Sequence, residues 1–152
     1  MNPFSVTLNE LLEEVYQNIL RMEEMSLKNM GKVPLTINEI HLIERVGKAG
    51  ENGLTLSELA SALGITKPSA TVAVNKLERK GYLIKLNSET DGRVVRILLS
   101  HQGKVINYYH KFYHRKMVKE LSTGFSEAEK ECLIRALEKL NDYFADSIGD
   151  KK

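Results

Sequence analysis

Between residues 66 and 76 the chain places short hydroxyls, one amide and two lysines on one side of a stretch with helical periodicity. Ala70, Ala73, Val74 and Leu77 are spaced i, i+3, i+4 and i+7 and so face a core, which leaves Thr66, Lys67, Ser69, Thr71, Val72, Asn75 and Lys76 outward. No carboxylate interrupts that outward set before Glu78. Hydroxyls and amides suit base edges, and lysines suit phosphates, which a carboxylate would repel. A further cation, Arg93, follows a polar tip, residues 87–92 (Asn-Ser-Glu-Thr-Asp-Gly), set between two apolar runs. Together these residues point to a double-stranded nucleic acid as the partner. The helix would enter the major groove and the hairpin would reach an adjacent minor groove.

The flanking elements must hold that surface. Residues 5–30 read as one long helix with Leu8, Leu11, Leu12, Val15, Ile19 and Met22 as its apolar stripe. Thr36-Ile37-Asn38-Glu39 is a capping box that opens a second helix with Ile40, Ile43 and Val46 inward. Gly47, Gly50 and Gly53 predict a flexible loop after it. Thr55-Leu56-Ser57-Glu58 opens a short helix closed by Gly64, and Leu54 is placed to pair with the wing as a tiny strand. Thr66 is the N-cap of the next helix, with Pro68 in its first turn, where a missing N–H costs little. Residues 83–86 and 94–99 are the strands of the hairpin. Ser100 then caps a long helix through residue 121, with Val105, Tyr108, Tyr109, Phe112 and Met117 as candidates for its buried side. Ser126-Glu127-Ala128-Glu129 opens a last helix with Leu133, Leu137, Leu140 and Phe144 in register. The predicted fold class is mainly α with a small β wing: a winged helix-turn-helix inside an all-helical lobe. In this division residues 1–152 form a single domain, 36–99 the winged lobe, and 1–35 with 100–152 the helical lobe. The first, fifth and sixth helices carry more apolar stripe than one chain can cover, which predicts a homodimer.

Charge is unevenly spread. Residues 66–119 hold twelve Lys/Arg against three acids, within a chain whose net charge is only +2. A basic middle between acidic ends suits a phosphate-binding surface. No apolar run reaches the length of a membrane span, no signal peptide is apparent, and the single cysteine, Cys132, excludes an internal disulfide, so a cytoplasmic protein is expected. Cys132 itself is expected to be a buried, inert thiol. No nucleophile elbow, phosphate-cradling glycine loop or His-Glu-x-x-His motif is present, so an enzyme is not expected.

With Leu-Glu-Arg-Lys-Gly-Tyr at 77–82, and Asp91-Gly92-Arg93-Val94 leading into Leu98-Leu99-Ser100, the chain resembles the MarR family of bacterial repressors over nearly its full length. The resemblance implies a homodimer whose two winged lobes straddle an inverted-repeat operator. It also implies that Asp91 braces the wing and that Arg93 reaches the minor groove or its phosphates. Two departures stand out: Gly92 and Val72 occupy positions where relatives often carry a basic residue.

The segments 39–41, 47–48, 77–82 and 110–118 are similar to the subgroup that represses fatty-acid-synthesis genes. That similarity implies an acyl ligand carried on acyl carrier protein, with Met22, His41, Tyr109, Phe112, Tyr113 and Met117 as candidate pocket residues. The basic run of Lys111, Arg115, Lys116 and Lys119 suits an acidic carrier. Zinc is the rival effector. His110 and His114 stand at i, i+4 on one helix face, with His41 and either Glu23 or Glu24, here Glu24, as further candidate ligands. A winged-helix module that binds another protein rather than DNA is the alternative class, against which Lys67, Lys76 and Arg93 speak.

Overall fold

Three reciprocal caps set the starts of three helices. Thr36 with Glu39, Thr55 with Glu58, and Ser126 with Glu129 each exchange side-chain-to-backbone hydrogen bonds, as their spacing predicts. The computed structural model describes residues 2–149. Its elements are α1 (Pro3–Asn29), α2 (Ile37–Lys48), a 3-10 turn (Gly50–Asn52), α3 (Leu56–Leu63), α4 (Lys67–Arg79), β1 (Leu83–Asn87), β2 (Val95–Leu99), α5 (His101–Ser122) and α6 (Glu127–Ser147). No helix among the described residues is long and apolar enough to cross a membrane.

The chain divides into two compact units, residues 1–111 and 112–152. This differs from the expected division at 36–99. Helix α1 and the first half of α5 belong with the winged core, because Glu23 and Ser26 of α1 and Gly103, Ile106, Asn107 and His110 of α5 are buried in the first unit.

In the first unit α2, α3, α4 and the wing close around Ile40, Ile43, Val46, Leu59, Val74, Leu77, Leu83 and Ile97, all fully buried. Strands β1 and β2 pair antiparallel, with Leu83 opposite Leu99 and Asn87 opposite Val95. Leu54 adds an isolated bridge to Ile97, as expected. Gly53 makes that bridge possible. It sits at φ 60°, and a Cβ there would stand 2.6 Å from the Ile97 carbonyl oxygen. Gly47, expected in a loop, lies inside α2, where its missing Cβ leaves room for the Asn107 amide.

The buried side of α5 is not the one expected. Val105, Tyr108, Tyr109 and Phe112 are exposed. The inward positions are Gly103, Ile106, Asn107 and His110. Gly103 decides the phase: its bare Cα lies against the Tyr82 carbonyl oxygen, where any side chain would collide. Counting apolar residues misses a face made of glycine, asparagine and histidine. Ser100 locks the junction, its hydroxyl accepting from the Gly103 N–H at 3.0 Å and donating to the Gly81 carbonyl at 2.6 Å.

In the second unit, α6 has no buried residue among those described, and Leu133, Leu137 and Phe144 are exposed. Cys132 is exposed as well, correcting the expectation of a buried thiol. The exposed leucines and Phe144 form an apolar helix face that its own unit leaves uncovered.

Glu39 holds α4 against α2. Besides closing the α2 cap, its carboxylate accepts from Lys80 Nζ at 2.9 Å and lies 3.0 Å from Lys76 Nζ. Lys80 also donates to the Pro34 carbonyl at 2.7 Å. Burial alone would raise the Glu39 carboxyl, but the Lys80 hydrogen bond, the Thr36 N–H and Lys76 outweigh it and lower it to about 2. A carboxyl depressed by folding contributes stability above its unfolded value, and that stability is lost as pH falls through the folded one. Urea unfolding should therefore lose roughly 1–3 kcal/mol to this group between about pH 4.5 and pH 2. In Glu39→Gln that share of the acid loss should vanish, leaving a flatter stability profile over the same window.

Candidate nucleic-acid interface

Helix α4 begins at Thr66, whose Oγ1 accepts from the Ser69 N–H at 3.3 Å and donates to Ser69 Oγ at 2.9 Å. Pro68 occupies the first turn, and no acidic residue does. The positive end of the helix dipole thus faces no carboxylate in that turn, beside exposed Lys67. Thr71 Oγ1 donates back to the Lys67 carbonyl at 2.9 Å. Val72 is 67% exposed, a large fraction for a valine on a helix, and an apolar spot of that kind suits a thymine methyl.

The wing tip is built by backbone turns and braced by Asp91. Its carboxylate accepts from the Arg93 N–H at 3.0 Å and its carbonyl from the Val94 N–H at 2.9 Å. Ser88 and Thr90 hydroxyls meet at 3.0 Å across the tip. Arg93 is exposed, and its guanidinium has no acidic partner among the described residues.

The basic residues of this surface fall into two kinds. Lys67 and Arg93 stand free of carboxylates among the described residues. Lys76 lies on Glu39, and Lys85, on β1, lies 2.8 Å from Glu78 and donates to the Asn75 Oδ1. Arg96 reaches Glu58 at 3.5 Å, whose carboxyl the Thr55 N–H holds below its usual range. The sequence singled out Lys76 and left out Lys85. Nothing local distinguishes a lysine that meets a glutamate of another element from one that meets solvent.

A second constellation lies in the first unit, on the opposite side of α2. Glu23 Oε1 is 3.1 Å from His41 Nε2 and 3.7 Å from His110 Nε2, while His110 Nδ1 is 3.3 Å from Glu44 Oε2. The two imidazoles stand edge to face with centroids 5.8 Å apart. Ligand atoms of Glu23, His41 and His110 lie within 4.8 Å of one another. This corrects the expected set: Glu23 joins the histidines and Glu24 does not. One residue along a helix turns the side chain by about 100°, and Glu24 is exposed, lining a shallow pocket with Leu27, Lys28, Gly31, Val33 and Leu35. His114 belongs to the second unit, as do the candidate pocket residues Phe112, Tyr113 and Met117. Met22 and Tyr109 are exposed in the first unit. A cavity of about 360 Å³ in that unit has a different lining, among it Ile84, Leu98, Lys104, Asn107, Tyr108 and Lys111.

The model of the MarR family matches residues 33–94, the winged core. FabT of Streptococcus pneumoniae, solved in complex with DNA, is 33% identical and superposes with a TM-score of 0.88, over 93% of this chain and 98% of that one. MepR of S. aureus, also solved in complex with DNA, is 21% identical with a TM-score of 0.73, over 89% of this chain and 96% of that one. An uncharacterized HTH-type transcriptional regulator of Bacillus subtilis, YhjH, is 24% identical over 115 residues, which are 76% of this chain and 65% of that protein's length. From its winged core to its near-complete overlap with FabT, the chain belongs to the MarR family, whose members are transcriptional regulators.

Proposed function

We propose that the protein is a repressor that binds an inverted-repeat DNA operator as a homodimer. The observation that carries this reading is the pair of carboxylate-free cations, Lys67 and Arg93, at the two ends of an exposed polar surface. FabT and MepR, both solved with DNA, support it. The uncovered apolar residues of α1, among them Leu11, Val15 and Ile19, and those of α6 supply the faces that a second copy would cover.

The effector we infer is a long-chain acyl group carried on acyl carrier protein, in line with the sequence similarity to fatty-acid-synthesis repressors. Arg115, Lys116 and Lys119, exposed on α5, suit an acidic carrier. A second reading, zinc, is favoured by the Glu23–His41–His110 cluster. Two imidazoles and a carboxylate are a donor set zinc accepts. Glu44 beside His110 Nδ1 would fix the tautomer that leaves Nε2 to the metal.

Fluorescence anisotropy against operator duplexes tests the DNA reading. Arg93→Ala should weaken specific binding by roughly 1–3 kcal/mol at fixed salt. Lys67→Ala should flatten the salt dependence by about one unit, and Lys76→Ala by clearly less, because Glu39 already neutralises that ammonium. Equal slopes for the two lysine variants would place Lys76 on the phosphates. Native mass spectrometry with metal analysis separates the effectors: a co-purifying acyl species supports the first. One zinc per chain, lost in His110→Ala but kept in His114→Ala, supports the cluster at Glu23.

A further inference from the structure

Asn75 lies on the outward side of α4, half-buried beside the wing, and its amide is held in one orientation by a residue of another element. Lys85 Nζ donates to Asn75 Oδ1 and is itself held by Glu78 Oε2 at 2.8 Å. Glu78 cancels the charge of Lys85, so this lysine is not a free phosphate ligand. Its effect is on the amide. An ammonium has only donors, so it donates to Oδ1 and cannot pair with the amide NH2. Turning the Asn75 side chain over would set donor against donor. With Oδ1 engaged toward the wing, the Nδ2 hydrogens have no acceptor among the described residues.

An asparagine reads adenine by presenting both its oxygen and its nitrogen to the N6 and N7 edge. A clamped Asn75 offers donors alone. Guanine presents two acceptors, N7 and O6, in the major groove, whereas adenine sets a donor beside its N7. We propose that Lys85 is a specificity-determining positioning residue: it locks Asn75 as a donor, so that the half-site position Asn75 meets selects guanine over adenine. The inference rests on the DNA-binding reading above and adds to it a residue on the wing side of the surface, away from the bases.

Selection of duplexes from a randomised library with the full-length protein, followed by sequencing, tests it. Wild type, Asn75→Ala, Lys85→Met and Lys85→Arg are compared at one salt concentration, with thermal melting as the check of folding. Asn75→Ala identifies the half-site position by erasing its preference. Wild type and Lys85→Arg should hold guanine there, and Lys85→Met should lose about tenfold of the guanine-over-adenine discrimination. Removing Lys85 also exposes the Glu78 charge, but that weakens all duplexes alike and leaves base preference unmoved. An unaltered profile in Lys85→Met, or adenine at that position in wild type, overturns the proposal. Failure of wild type to enrich any duplex overturns the DNA-binding reading, and this inference with it. Should Lys85→Met melt early, Lys85→Arg and Lys85→Gln, which keep a donor, are read in its place, and loss of guanine preference in both overturns the clamp.

Discussion

The carboxylate of Glu39 fixes the angle at which the outward face of α4 is offered. It closes the cap of α2 and grips Lys76 in the last turn of α4 and Lys80 at its C-cap. Helix–helix packing through Val74 and Leu77 fixes how close α4 lies, but apolar contacts alone tolerate sliding. A nearly buried charge with three hydrogen-bonding partners does not, because breaking any of them strands it away from water. The outward face of α4 therefore has one register.

That rigidity explains why the surface can be so sparing with charge. Of the lysines near the candidate interface, Lys76, Lys80 and Lys85 are spent on internal carboxylates. Lys67 at the helix start and Arg93 on the wing are exposed and have no ion-pair partner among the described residues. Between them lie hydroxyls, an amide and an exposed valine, groups that discriminate bases better than they attract phosphates. Such a distribution favours selectivity over bulk electrostatic grip.

Much of this was legible in the sequence, and the reason is range. The capping boxes at Thr36, Thr55 and Ser126 and the core face of α4 are decided within a few residues, and all were found there; the Asp91 brace came from the family resemblance. What escaped depends on distant partners. The Glu39–Lys80 link joins residues that no local pattern connects. The inward face of α5 was missed because Gly103, Asn107 and His110 are buried for fit and polarity rather than apolarity. Glu23 and Glu24 are indistinguishable by type, and only the phase of α1 against α2 separates the one among the histidines from the one in solvent.

The Ser100 hydroxyl has a mechanical consequence. By bonding both the Gly81 carbonyl and the Gly103 N–H, it rivets the corner that follows α4 to the first turn of α5, with Tyr82 packed in the joint. A rotation of that first turn would break one of these bonds or carry the corner after α4 with it. On the proposed DNA-binding reading, a ligand wedged at the root of α5 would act on α4 through two hydrogen bonds and a glycine, without touching Lys67 or Arg93.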